Sequence, residues 1–65
     1  MEIRFNGEPL VVAAETVQGL LAELALEDKK LAVELNRCIV PRAAYSSTTI
    51  AAGDEVEIVQ FVGGG

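Results

Sequence analysis

Apolar and polar positions alternate with period two at the start of the chain, where Ile3 and Phe5 stand between Glu2, Arg4 and Asn6. That is the pattern of a strand with one buried face. Asn6-Gly7 follows as a two-residue hairpin signal, and Leu10, Val11 and Val12 supply the antiparallel return strand. Pro9 has no amide hydrogen to donate, so it is expected at the start of that strand or on a sheet edge. The period then changes. Val17, Leu20, Leu21 and Leu24 fall at i, i+3, i+4 and i+7, which predicts an amphipathic helix over about residues 17–26 with Thr16 as its N-cap. Gly19 lies inside its first turns, where either close packing against the sheet or simple tolerance accounts for it.

Glu27-Asp28-Lys29-Lys30 breaks the periodicity and reads as a solvated loop, its lysines placed to favour the helix C-terminus. Leu31, Val33 and Leu35 then alternate with Ala32 and Glu34 as a third strand. Asn36-Arg37 makes a turn, and Cys38-Ile39-Val40 forms a fourth strand that Pro41 ends. From Arg42 to Thr49 the chain is small and polar around Tyr45, an irregular loop in which the ring is a half-buried anchor rather than a catalytic phenol. Ala52-Gly53-Asp54 turns the chain into a last strand from Glu55 through Phe61.

Two hairpins around one helix form an α+β layout, with a single helix covering one face of a small mixed sheet of about five strands. The last strand has the densest apolar run, which places it centrally and parallel to the first. This is the β-grasp, or ubiquitin-like, architecture. It divides the chain into a domain over residues 1–61 and a flexible C-terminal glycine tail over 62–65.

Side chains alternate along the last strand, so Val56, Ile58 and Gln60 share one face and Glu55, Glu57, Val59 and Phe61 the other. If Val56 and Ile58 meet the helix, then Val59 and Phe61 emerge on the open face, with Val62 beside them, as a docking patch for a partner. The competing reading has Tyr45 and its loop cover Val59 and Phe61 as ordinary core. Beyond them, Gly63, Gly64 and Gly65 offer no side chains to pack and are expected to be mobile and extended. Four residues reach about 13–14 Å when straight, enough to carry a terminal carboxylate into a narrow channel of another protein. An ionised carboxylate is a poor electrophile, so its use as a chemical handle requires activation, for example as an acyl-adenylate.

The chain has 65 residues, ten acids against five bases, a net charge of −5, no histidine and one cysteine. So small a domain has little material for a deep substrate cleft, and without histidine it lacks the usual neutral-pH general base, so a self-contained enzyme is not expected. No metal site is expected from one cysteine and no histidine, and no internal disulfide can form, which points to a cytoplasmic location. The acidic balance disfavours nucleic acid and anionic membrane and favours a partner with a basic surface. No segment reads as a targeting signal, so the chain as written is expected to be the mature protein, with Gly65 its natural end.

The stretch Asn36-Arg37-Cys38-Ile39-Val40-Pro41-Arg42, followed by Gly53-Asp54-Glu55-Val56-Glu57-Ile58-Val59-Gln60-Phe61-Val62-Gly63-Gly64-Gly65, resembles the sulfur-carrier proteins of thiamine biosynthesis, the ThiS family. The opening Ile3-Arg4-Phe5-Asn6-Gly7 and the Thr16-Val17 helix start fit as well, and Tyr45 departs conservatively from the Trp that many relatives carry. The resemblance implies a ubiquitin-like fold and a carrier rather than a catalyst. It implies that a ubiquitin-activating-type adenylating enzyme uses ATP and magnesium to adenylate the Gly65 carboxylate, and that sulfur from a persulfide donor replaces the adenylate. The resulting thiocarboxylate would then donate sulfur to thiazole synthase. By position, Gly64 and Gly65 form the functional tail, with no cofactor bound by the carrier itself.

Cys38 is expected to be a small buried hydrophobe rather than the sulfur donor, although Arg37 beside it offers a competing reading as a reactive thiol. The alternatives for the whole chain are the small subunit of molybdopterin synthase, a ubiquitin-like modifier whose Gly65 is joined to lysines, and a plain interaction domain with an inert tail.

Overall fold

Both predicted hairpins close through an asparagine held in the left-handed region of backbone space. In the computed structural model, which describes residues 1–61, Asn6 and Gly7 have φ of 50° and 86°, and Asn36 and Arg37 have φ of 50° and 71°. Such angles suit the primed turns that match strand twist. The first turn joins β1 (Glu2–Phe5) to β2 (Glu8–Val11), with Ile3 opposite Leu10 and Arg4 opposite Pro9. The second joins β3 (Leu31–Leu35) to β4 (Cys38–Val40), with Val33 opposite Val40. Between the hairpins runs α1 (Val17–Glu23), and β5 (Glu55–Gln60) closes the described chain. The strand order is β2-β1-β5-β3-β4, so β5 is central, parallel to β1 and antiparallel to β3. Pro9 lies within β2, on an edge strand, where its missing N–H is tolerated.

One face of the sheet and one face of the helix make the core. Val17, Leu20 and Leu21 of α1 join Ile3, Val33, Val56 and Ile58 of the sheet, with Val12, Val40, Tyr45 and Ile50 completing it. Thr16 caps the helix as expected, its hydroxyl accepting the Gly19 N–H at 3.0 Å. The next helical amides are satisfied by the segment read as an irregular loop. Val17 N–H donates to the Thr48 carbonyl and Gln18 N–H to that of Tyr45. That segment also holds a turn of 3-10 helix, Arg42–Ala44, capped by Tyr45, whose ring is buried. Gly19 is explained by the cap rather than the sheet. A Cβ there would meet the Thr16 hydroxyl at 3.3 Å and the Ala14 side chain at 3.4 Å.

The helix stops three residues earlier than its periodicity suggests. Leu26 N–H donates to the Leu21 carbonyl at 2.7 Å and Ala25 N–H to that of Ala22 at 3.1 Å, with Ala25 at φ 58°. This is a Schellman motif with alanine where glycine is usual. Leu24 and Leu26 still pack on the core, which is why the apolar pattern runs on past the helical backbone. Lys29 and Lys30 therefore lie beyond the last turn, not in it. Among the described residues, no helix is long and apolar enough to cross a membrane.

Candidate functional site

The central strand is held along both flanks by the turns that close its neighbours. On the β1 side, Asn6 N–H donates to the Val56 carbonyl at 2.9 Å. The Asn6 side chain accepts the Ile58 N–H at 2.8 Å and returns its own amide to the Ile58 carbonyl at 3.3 Å. On the β3 side, Asn36 N–H donates to the Glu55 carbonyl at 2.7 Å, and its side-chain oxygen accepts the Glu55 N–H at 2.9 Å. Each asparagine thus turns its own hairpin and continues the ladder onto β5. The sequence signalled the turns; the amide contacts depend on segments distant in the chain meeting, Asn36 with Glu55 across 19 positions and Asn6 with Ile58 across 52.

That anchoring fixes which way the side chains of β5 point. Val56 and Ile58 are buried under the helix, whereas Val59 and Phe61 are 58% and 61% exposed. The reading in which Tyr45 covers them as core does not hold. Strand β5 ends at Gln60, but Phe61 stays attached to the sheet, its N–H donating to the Lys30 carbonyl at 2.9 Å. On the open face Val59 lies opposite Ala32, and Glu57 lies directly opposite Glu34, a like-charge pair that strand pairing alone disfavours. Ile39, opposite Glu34 on β4, is 74% exposed on the same face. The patch is therefore apolar with an acidic border.

At the end of β5 a groove of about 420 Å³ opens between Phe61, Tyr45, Leu31 and Val40, with Lys30 and Arg42 on its rim. Two of the five bases of an acidic chain thus meet beside Phe61. Neither was singled out as functional from the sequence, because Lys30 sits in a charged run and Arg42 follows a proline, and only folding brings them together. Cys38 corrects an expectation: it is exposed, not buried. It shares a face with buried Val40 but is the first residue of the short edge strand β4, next to the turn, and there at the sheet margin it stays exposed. Of the residues named from the sequence as docking or tail positions, Val59 and Phe61 sit together at the end of the central strand. Val62, Gly63, Gly64 and Gly65 lie outside the described residues, as does the expected flexible tail over 62–65.

Comparison with known proteins gives one consistent likeness. Residues 3–65 match the family model described as the ThiS family. The whole chain is 33% identical to the sulfur carrier protein ThiS of Escherichia coli, over all of both proteins. It is also 44% identical to a thiazole synthase of Paramagnetospirillum magneticum, of whose length it spans only 20%. A crystal structure of the thiamine biosynthesis protein ThiS from Geobacter metallireducens superimposes with a TM-score of 0.84 at 39% identity, covering all of both chains. The β-grasp architecture read from periodicity is the fold of that neighbour.

Proposed function

The chain belongs to the ThiS family, and on that premise we propose that it is a sulfur carrier of thiamine biosynthesis, a protein co-substrate rather than a catalyst. The observation that carries the proposal is the end of β5. Exposed Val59 and Phe61 lead, after one further residue, into Gly63-Gly64-Gly65, so a surface fit for docking adjoins a segment slim enough for a partner's active site.

The chemistry begins when the Gly65 carboxylate attacks the α-phosphate of ATP on an adenylating enzyme of the ubiquitin-activating type, with magnesium, and pyrophosphate leaves. A protein-bound persulfide displaces AMP from the acyl carbon, and a thiol cleaves the S–S bond to leave the thiocarboxylate. Thiazole synthase takes the sulfur. The ATP, the magnesium and the persulfide belong to the partners, and the compartment is the cytoplasm. The reading requires Gly65 to end in a free carboxylate, and the names of the relatives favour the thiamine branch over the small subunit of molybdopterin synthase.

Incubation of the chain with ATP, the adenylating enzyme and a persulfide source tests this by intact-mass measurement. The expected product is heavier by one sulfur in place of one oxygen. Removal of Gly65 abolishes the change, and Cys38→Ser leaves it intact. A covalent adduct on lysines of other proteins would instead identify a modifier, and an unchanged mass would refute the carrier reading.

A further inference from the structure

The open face of the sheet is self-complementary about Ala32. Lys30 and Glu34 each lie two residues from Ala32, so a base and an acid stand on that face at equal distances to either side of it. On β5, Val59 lies opposite Ala32 and Glu57 opposite Glu34, and the Phe61 N–H bond to the Lys30 carbonyl carries the pairing one step further. The face therefore has a cationic end at Lys30, an apolar middle at Ala32 and Val59, and an acidic end at Glu34 and Glu57. Ile39, opposite Glu34 and 74% exposed, projects at the acidic end, whereas Lys30 and Arg42 rim the groove of about 420 Å³ at the cationic end. The fold does not relieve the Glu34 and Glu57 repulsion from within: among the described residues neither forms an ion pair, and Arg37 pairs with Glu55 instead, at 3.5 Å. Charge is also shared unevenly over the molecule. All of the five bases except Lys29 stand on or beside the open face, as do Glu2, Glu34, Glu55 and Glu57 of the ten acids, so the face is close to neutral although the chain carries −5.

We infer that a second copy of this chain packs on the open face, about a two-fold axis that crosses the strands at Ala32 and Val59. Such an axis lays β3 antiparallel over β3 of the other copy, as in two sheets stacked face to face. Lys30 of each copy then comes over Glu34 of the other, which supplies the counter-charge that Glu34 and Glu57 lack. Val59 meets Val59 at the axis, and Ile39 of each copy comes over the Lys30 and Arg42 end of the other's groove. The occupant is a second copy because the arrangement is its own complement: opposite charges at equal distances from a small apolar centre match only when the face is turned end for end. Near neutrality of the face lets two acidic chains approach there. One apolar row and a few exposed ion pairs make a weak contact, so the dimer forms at high concentration and gives way to a tighter partner. It covers Val59, so self-association and docking on that patch exclude each other. The inference stands apart from the sulfur-carrier reading.

Sedimentation equilibrium of the full chain up to about 1 mM tests it, with the average mass expected to rise from one copy toward two. Lys30→Glu and Glu34→Lys should each weaken association by about tenfold, because either change turns both symmetric attractive contacts into like-charged ones. The double variant Lys30→Glu with Glu34→Lys restores it, and an equimolar mixture of the two single variants associates as the unaltered chain does. Both side chains are exposed, so the thermal midpoints of all three variants stay close to the original. A chain that remains single at every concentration overturns the inference and leaves the face to a different protein. Association that neither single change weakens, or that the double variant fails to restore, overturns it as well. None of these outcomes bears on sulfur loading, which the mass measurement reads independently.

Discussion

Ala25 shows how a single residue's backbone angle shapes the end of an element. It holds φ 58° at the position after the helix cap, where an L-residue's Cβ crowds its own backbone and glycine does not. Ala25→Gly should therefore stabilise the fold by about 0.5–1 kcal/mol, seen as a higher urea midpoint with an unchanged slope. Its side chain is exposed, so little packing is lost in exchange. Nothing in the sequence marked this stop, because the usual glycine is absent and the leucines continue the helical spacing to either side. Cys38 was misjudged at the same scale: residue type favours burial, but position on an edge strand beside a turn decides exposure.

At the scale of elements, the β1–β2 turn does more than reverse the chain. Asn6 supplies a left-handed turn residue and two hydrogen bonds to β5, so Asn6→Ala should destabilise the protein by about 2–3 kcal/mol, measured by chemical denaturation. The same variant should release the Ile58 amide to fast exchange, because its only partner on that flank is the Asn6 side chain. The five strands, their order in the chain and the helix N-cap were legible from period, turn residues and Thr16. The 3-10 turn at Arg42–Ala44 was not, since no periodicity develops over three residues. Its role is tertiary: the segment it opens presents the carbonyls of Tyr45 and Thr48 to the first amides of α1.

For the molecule as a whole, the exposed apolar side chains at the end of β5 and the buried core lie on opposite faces of one sheet. Val59→Asp adds charge to an exposed site, so it should shift the thermal midpoint little while weakening complex formation with the adenylating enzyme by about tenfold, measured by isothermal titration. A comparable loss of stability in that variant would place Val59 in the core and contradict the exposed patch. What the sequence by itself determined was the five strands and the α-helix, the central place of the last strand and the two faces of its side chains, because periods of 2 and 3.6 and turn chemistry are local properties. Only tertiary structure decided that Val59 and Phe61 stay uncovered, that Lys30 and Arg42 meet at one groove, and that Asn6 reaches Ile58. Each of these depends on distances between segments far apart in the chain, which close packing of the core sets and local patterning does not encode.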